Sequence, residues 1–125
     1  MNTPTAHRPN VFVIDDDELI CDYLVDELTE LNFNPIVFTS GDGVMEAIRS
    51  YSPVACFVDM VMKGKEGMET IIDLNKLEPK PVVIAISGHG TYLFLSTSLG
   101  ANEVLSKPFA AGDVARVLKA QGLLA

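Results

Sequence analysis

Five apolar runs, each followed by a pattern of helical period, leave this 125-residue chain few ways to fold. The run VFVI at 11–14 precedes Leu19, Ile20, Tyr23, Leu24, Leu28 and Leu31, which recur at three- and four-residue steps as on one face of a helix. Asp17 stands where a helix cap is expected. The run from Ile36 to Phe38 leads through Thr39, Ser40 and Gly41 into a second helical pattern carried by Val44, Met45, Ile48 and Tyr51, which Ser52 and Pro53 close. VACFV at 54–58 is continuous and rich in β-formers, as suits a central strand covered on both faces, and a third helix is expected over 66–77. VVIAI at 82–86 gives a fourth strand, 92–99 a fourth helix, 103–106 a short fifth strand and 113–121 a last amphipathic helix. Strands alternating with helices of this length pair in parallel through crossovers. The expected fold class is therefore α/β: a doubly wound five-stranded parallel sheet with helices on both faces.

The length suits one hydrophobic core. Residues 1–9 read as a short disordered leader without a signal-peptide stretch, and 10–125 as the folded domain. The net charge is −8, and the closest basic pair is Lys63 and Lys65, so no basic stripe exists to displace the counterions of a nucleic acid. The segment 81–102 carries no formal charge, yet Gly88, Gly90, Gly100 and the polar run Ser96 to Ser98 divide it, so a strand, a loop and a helix are expected rather than a membrane span. Cys21 and Cys56 show no metal-ligand spacing and read as small core residues in a reducing compartment. A cytoplasmic protein follows from these readings.

In doubly wound sheets ligands sit beyond the carboxyl ends of the strands, where strand order reverses. The order 2-1-3-4-5 places Asp15 and Asp16, after the first strand, beside Asp59, after the third. Ser87 and Lys107 flank them from strands four and five. Two carboxylates about 5 Å apart repel by roughly 3 kcal/mol at an effective dielectric near 20, so such a cluster needs a proton or a cation. An all-oxygen site with room for water and a phosphate oxygen suits Mg²⁺. Asp59 then stands as a nucleophile toward phosphorus, with Lys107 offsetting charge on the phosphoryl oxygens and the Ser87 hydroxyl donating to one of them. Asp17 reads as a helix cap rather than a participant, His89 as an exposed loop residue and His7 as part of the leader. Tyr92, Leu93, Phe94 and Leu95 cannot all face inward from one helix, so some of them are expected at the surface.

These residues together resemble a two-component response-regulator receiver domain of the single-domain, chemotaxis-regulator-like kind. The resemblance covers about residues 10–121 and rests on Asp15-Asp16, Asp59, Gly67, Ser87 and Lys107-Pro108-Phe109. It implies a flavodoxin-like fold and a phosphoacceptor that is not itself an enzyme beyond self-catalysed phosphorylation and dephosphorylation. Asp59 would accept a phosphoryl group from a sensor histidine kinase or a histidine phosphotransfer protein. Asp16 and Asp59 would bind Mg²⁺ directly, Asp15 through water, and the Val61 carbonyl would add a ligand. A cis peptide is implied between Lys107 and Pro108. Signalling would pass to a downstream protein, or to a second copy in a homodimer, through the face built from helix 4, strand 5 and helix 5.

The chain departs from that pattern in four places. Lys63 stands where proline is common, and Val104 where an inward-turning aromatic is usual. Val61 and His89 occupy positions that tune water access to the phosphoryl group, and the stretch from Ser87 to Lys107 is about two residues short, which is expected to trim the start of helix 4. Two other readings stand beside the receiver. In a haloacid-dehalogenase-like phosphohydrolase, Asp15 would be the nucleophile and Asp17 the general acid. In a pseudo-receiver, the domain would only bind partners.

Overall fold

The computed structural model describes residues 8–62, 67–88 and 90–125, with the backbone alone at 91–93. Five strands alternate with five helices in the chain order β1 (Asn10–Ile14), α1 (Glu18–Glu30), β2 (Asn34–Phe38), α2 (Val44–Tyr51), β3 (Ala55–Asp59), α3 (Gly67–Asn75), β4 (Val82–Ser87), α4 (Gly90–Ser98), β5 (Glu103–Ser106) and α5 (Asp113–Ala120). The strands form one sheet in the order β2-β1-β3-β4-β5, and every adjacent pair is parallel. Fold class, strand order and the placement of helices on both faces agree with the sequence reading.

Alternation along the strands explains why their sequences look continuously apolar. Val11, Val13, Phe57, Ile84 and Ile86 face one cluster, completed by Leu24 and Leu28 of α1 and Val114, Val117 and Leu118 of α5. Phe12, Ile14, Cys56, Val58 and Val83 face the other, completed by Val44 of α2 and Ile71 and Leu74 of α3. Both faces are covered, so no polar residue interrupts the central strands until their carboxyl ends. Cys21 and Cys56 are buried free thiols within these clusters. Among the described residues no helix is long and apolar enough to cross a membrane.

Several boundaries differ from those expected. β2 begins at Asn34 rather than Ile36, because Asn34 N–H is already bonded to the Pro9 carbonyl at 2.8 Å and its side chain to that of Asn10. α3 ends at Asn75, two residues early, where Lys76 and Leu77 close a tighter turn onto Asp73 and Leu74. α4 begins at Gly90 rather than Tyr92. Phe94 is 77% exposed and Leu95 41%, as expected of an excess of apolar residues on that helix. His7, most of the leader, Lys63, Lys65, His89 and the side chains of Tyr92 and Leu93 lie outside the described residues.

Candidate phosphoryl and metal site

Asp15 follows the last residue of β1 at the carboxyl edge of the sheet and is fully buried. One of its oxygens, Oδ1, accepts a hydrogen bond from Asp17 N–H at 2.9 Å, which bends the chain from strand into helix. Asp17 then caps α1: its Oδ1 accepts from Leu19 N–H at 2.9 Å and Ile20 N–H at 3.4 Å. With its carboxylate held by the helix, Asp17 behaves as the cap expected of it. That use counts against the general-acid role of the phosphohydrolase reading. Asp16, between them, is exposed.

Asp59 ends β3 and is 5% exposed. Its Oδ1 accepts from Val61 N–H at 3.3 Å, and Val61 itself is about half exposed. The backbone behind Asp59 is fixed by a close approach. A Cβ at Gly67, the first residue of α3, would overlap the Asp59 carbonyl, so this position excludes any side chain.

Lys107 follows β5 and reaches across the edge. Its Nζ lies 3.0 Å from Asp15 Oδ2 and 3.4 Å from Asp59 Oδ2. The Lys107 N–H donates to the Ser87 carbonyl at 3.0 Å, tying the loop after β5 to the end of β4, where Ser87 is buried. The Lys107–Pro108 peptide is cis, as the resemblance implies.

Electrostatics follow from burial. Burial pushes the Asp59 carboxyl up from 3.8 to about 6, Asp15 adds to that, and Lys107 and the Val61 N–H only partly oppose it. Burial alone would lower the Lys107 ammonium, but the neighbouring carboxylates of Asp15 and Asp59 outweigh it and hold the group above its ordinary value.

The arrangement fits a hard cation. A carboxylate oxygen from each of Asp15, Asp16 and Asp59 lies within 4.8 Å of the others. Asp15 Oδ2 is buried without an aligned hydrogen-bond donor, although the ammonium stands 3.0 Å away. The oxygen has a charge beside it but no directed partner, and its lone pairs suit a hard cation.

Two contacts around the site carried no signal in the sequence reading. The Cys21 thiol donates to the Asp15 carbonyl at 3.1 Å, from one turn into α1. Tyr23 stacks on Phe109 with ring centroids 5.6 Å apart, joining α1 to the segment after Lys107-Pro108. Val104, at the position where the resembling family usually carries an aromatic, is partly buried against the cluster on the α2 and α3 face.

Comparison with known proteins agrees with this geometry. The family model described as the response regulator receiver domain matches residues 11–119. The transcriptional regulatory protein BaeR of Escherichia coli O6:H1 is 20% identical over 114 residues, covering 90% of this chain and 48% of that protein. A response regulator NtrX-like protein of Rickettsia typhi is 30% identical over 104 residues, covering 80% of this chain and 22% of that protein. The chain thus spans about half or less of the length of these curated relatives. Among solved structures, the receiver domain of NtrX from Brucella abortus is 26% identical with a TM-score of 0.79, covering 90% of this chain and 97% of that one. A CheY-like receiver domain protein from Methanospirillum hungatei shares the fold at a TM-score of 0.82 and 20% identity, with 91% and 93% of the two chains covered.

Proposed function

The chain belongs to the response regulator receiver domain family, and from that premise we propose that Asp59 is the phosphoacceptor of a two-component pathway. The observation that carries this reading is the position of Asp59: a buried carboxylate at the end of a central strand, with an ammonium on one oxygen and a backbone N–H on the other. Receiver domains are in general signalling modules rather than enzymes, and they work with histidine kinases and downstream effectors. For this chain the donor is a phosphohistidine of a sensor kinase or phosphotransfer protein. An Asp59 oxygen attacks phosphorus, the phosphorus–nitrogen bond breaks, and the imidazole leaves with a proton.

Receiver domains generally bind Mg²⁺ at an acidic site. Asp15, Asp16, Asp59 and the Val61 carbonyl are the groups proposed to hold it here. When bound, it supplies positive charge that shields the acceptor and the incoming phosphoryl oxygens. Lys107 holds the acceptor carboxylate in place and then offsets charge on the transferred group, while the Ser87 hydroxyl donates to one of its oxygens. A phosphoryl group that binds one arrangement of Lys107 and Ser87 better than another shifts the population toward it, and partners select that state. The exposure of Phe94 and Leu95 on α4 supports an output surface on the α4-β5-α5 face, toward a downstream protein or a second copy. The proposed location is the cytoplasm. Treatment with phosphoimidazole and Mg²⁺ tests the proposal: a ³¹P signal of an acyl phosphate should appear on the protein, and none should appear after the metal is chelated.

A further inference from the structure

At the opposite end of the sheet from Asp59 lies a cavity of about 670 Å³. It opens at the amino ends of β3 and β4, so a strand of five or six residues, about 16–20 Å, separates it from the acidic site. Its apolar body comes from Ile48 of α2, Val54, Leu77, Val82 and the C-terminal Leu123. The cleft is half open to solvent, and its volume lies in the range of small-molecule sites.

Pro53, Pro79 and Pro81 line the cavity and carry no N–H. The N–H groups of Ser52, Val54, Leu77, Val82 and Leu123 are all bonded to backbone carbonyls within the fold. Of the charged side chains in the lining, Arg49 and Lys80 are cationic and Glu78 is anionic, which leaves the cavity a net charge of +1. Arg49 lines the cavity, is exposed, and has no hydrogen bond or ion pair among the described residues. Lys80 is half-buried, and its ammonium donates to a neutral acceptor, Asn102 Oδ1, at 2.7 Å rather than to a carboxylate. Burial lowers the Lys80 ammonium from its ordinary value, as expected where no anion is bound beside it. Two cations at an apolar cavity are notable in a chain of net charge −8.

We propose that this cavity is a second binding site, for a small amphipathic monocarboxylate whose apolar body fills the Ile48–Val82 floor and whose carboxylate meets Arg49 and Lys80. The Arg49 guanidinium supplies the planar fork that a carboxylate matches with two parallel bonds. With Glu78 offsetting one of the two cations, a single carboxylate neutralises the lining, and the further charges of polyphosphates and dicarboxylates go unmatched.

The test is a titration of the full chain with octanoate, followed by ¹H–¹⁵N spectra. Saturable shifts are expected at Ile48, Arg49, Val54, Lys80 and Val82, with octanol and octylammonium at least about tenfold weaker. Arg49→Gln with Lys80→Gln should weaken octanoate by at least about tenfold while the rest of the spectrum stays native. Arg49→Gln alone, an exposed position, should show part of the loss and serves if the double variant unfolds. Shifts that do not saturate, affinity equal for octanol, or affinity unchanged in Arg49→Gln would each overturn the assignment. Asp59 takes no part in this experiment, so its outcome is independent of the phosphoacceptor reading.

Discussion

The Lys107 ammonium stands 3.0 Å from Asp15 Oδ2 and 3.4 Å from Asp59 Oδ2, bridging two buried carboxylates from neighbouring strands. Taking it away leaves those charges facing each other in a region of low dielectric. Lys107→Ala should therefore lose about 2 kcal/mol of stability at pH 7, less than a fully buried pair because the lysine is partly exposed. Urea unfolding checks this. Millimolar Mg²⁺ should restore part of the loss if a cation can replace the ammonium.

Asp59 gives the stability a definite pH sign. Its carboxyl titrates near 6 in the fold against 3.8 in the unfolded chain, so between those values the native state holds more protons and stability falls as pH rises. Above pH 6 the ionised group costs up to about 3 kcal/mol. Asp59→Asn removes that cost. The variant should match the parent below pH 4 and exceed it in stability at pH 7, with the gap narrowing when Mg²⁺ is added. Thermal or urea unfolding of both proteins from pH 3.5 to 7.5 measures the difference.

Gly67 touches the Asp59 carbonyl where a Cβ cannot fit. Gly67→Ala must push the start of α3 away from the acceptor, which should cost about 2–3 kcal/mol as an overpacked contact does. The same displacement should slow phosphorylation. Denaturant unfolding and the rate of phosphoryl incorporation, measured together, distinguish this from a harmless loop change.

Asp17 is committed to capping α1. Asp17→Ala should cost about 1 kcal/mol of stability and leave phosphoryl acceptance intact. Loss of acceptance without loss of stability would instead favour a chemical role for Asp17.

The carboxyl-edge residues were legible because a strand buried on both faces tolerates no polar side chain until it ends. VACFV running into Asp59 and VVIAI into Ser87 therefore marked the rim directly. Helix ends were read less well: α4 reaches back to Gly90, because Gly90 and Thr91 continue the helical backbone where the glycine suggested a loop. The support around the site was not readable at all. The Cys21 thiol finds the Asp15 carbonyl six residues back, and Tyr23 finds Phe109 across the whole chain, and neither contact leaves a local pattern. The cavity at Arg49 and Lys80 is likewise assembled from three separate segments, so no single stretch announces it.

The central claim is that Asp59, and not another carboxylate of the cluster, takes the phosphoryl group. Intact mass after treatment with acetyl phosphate and Mg²⁺ tests it most directly. A single phosphoryl adduct is predicted on the parent chain and none on Asp59→Asn. An adduct that survives in Asp59→Asn but is lost in Asp15→Asn, or no adduct on the parent under any Mg²⁺ concentration, would contradict it.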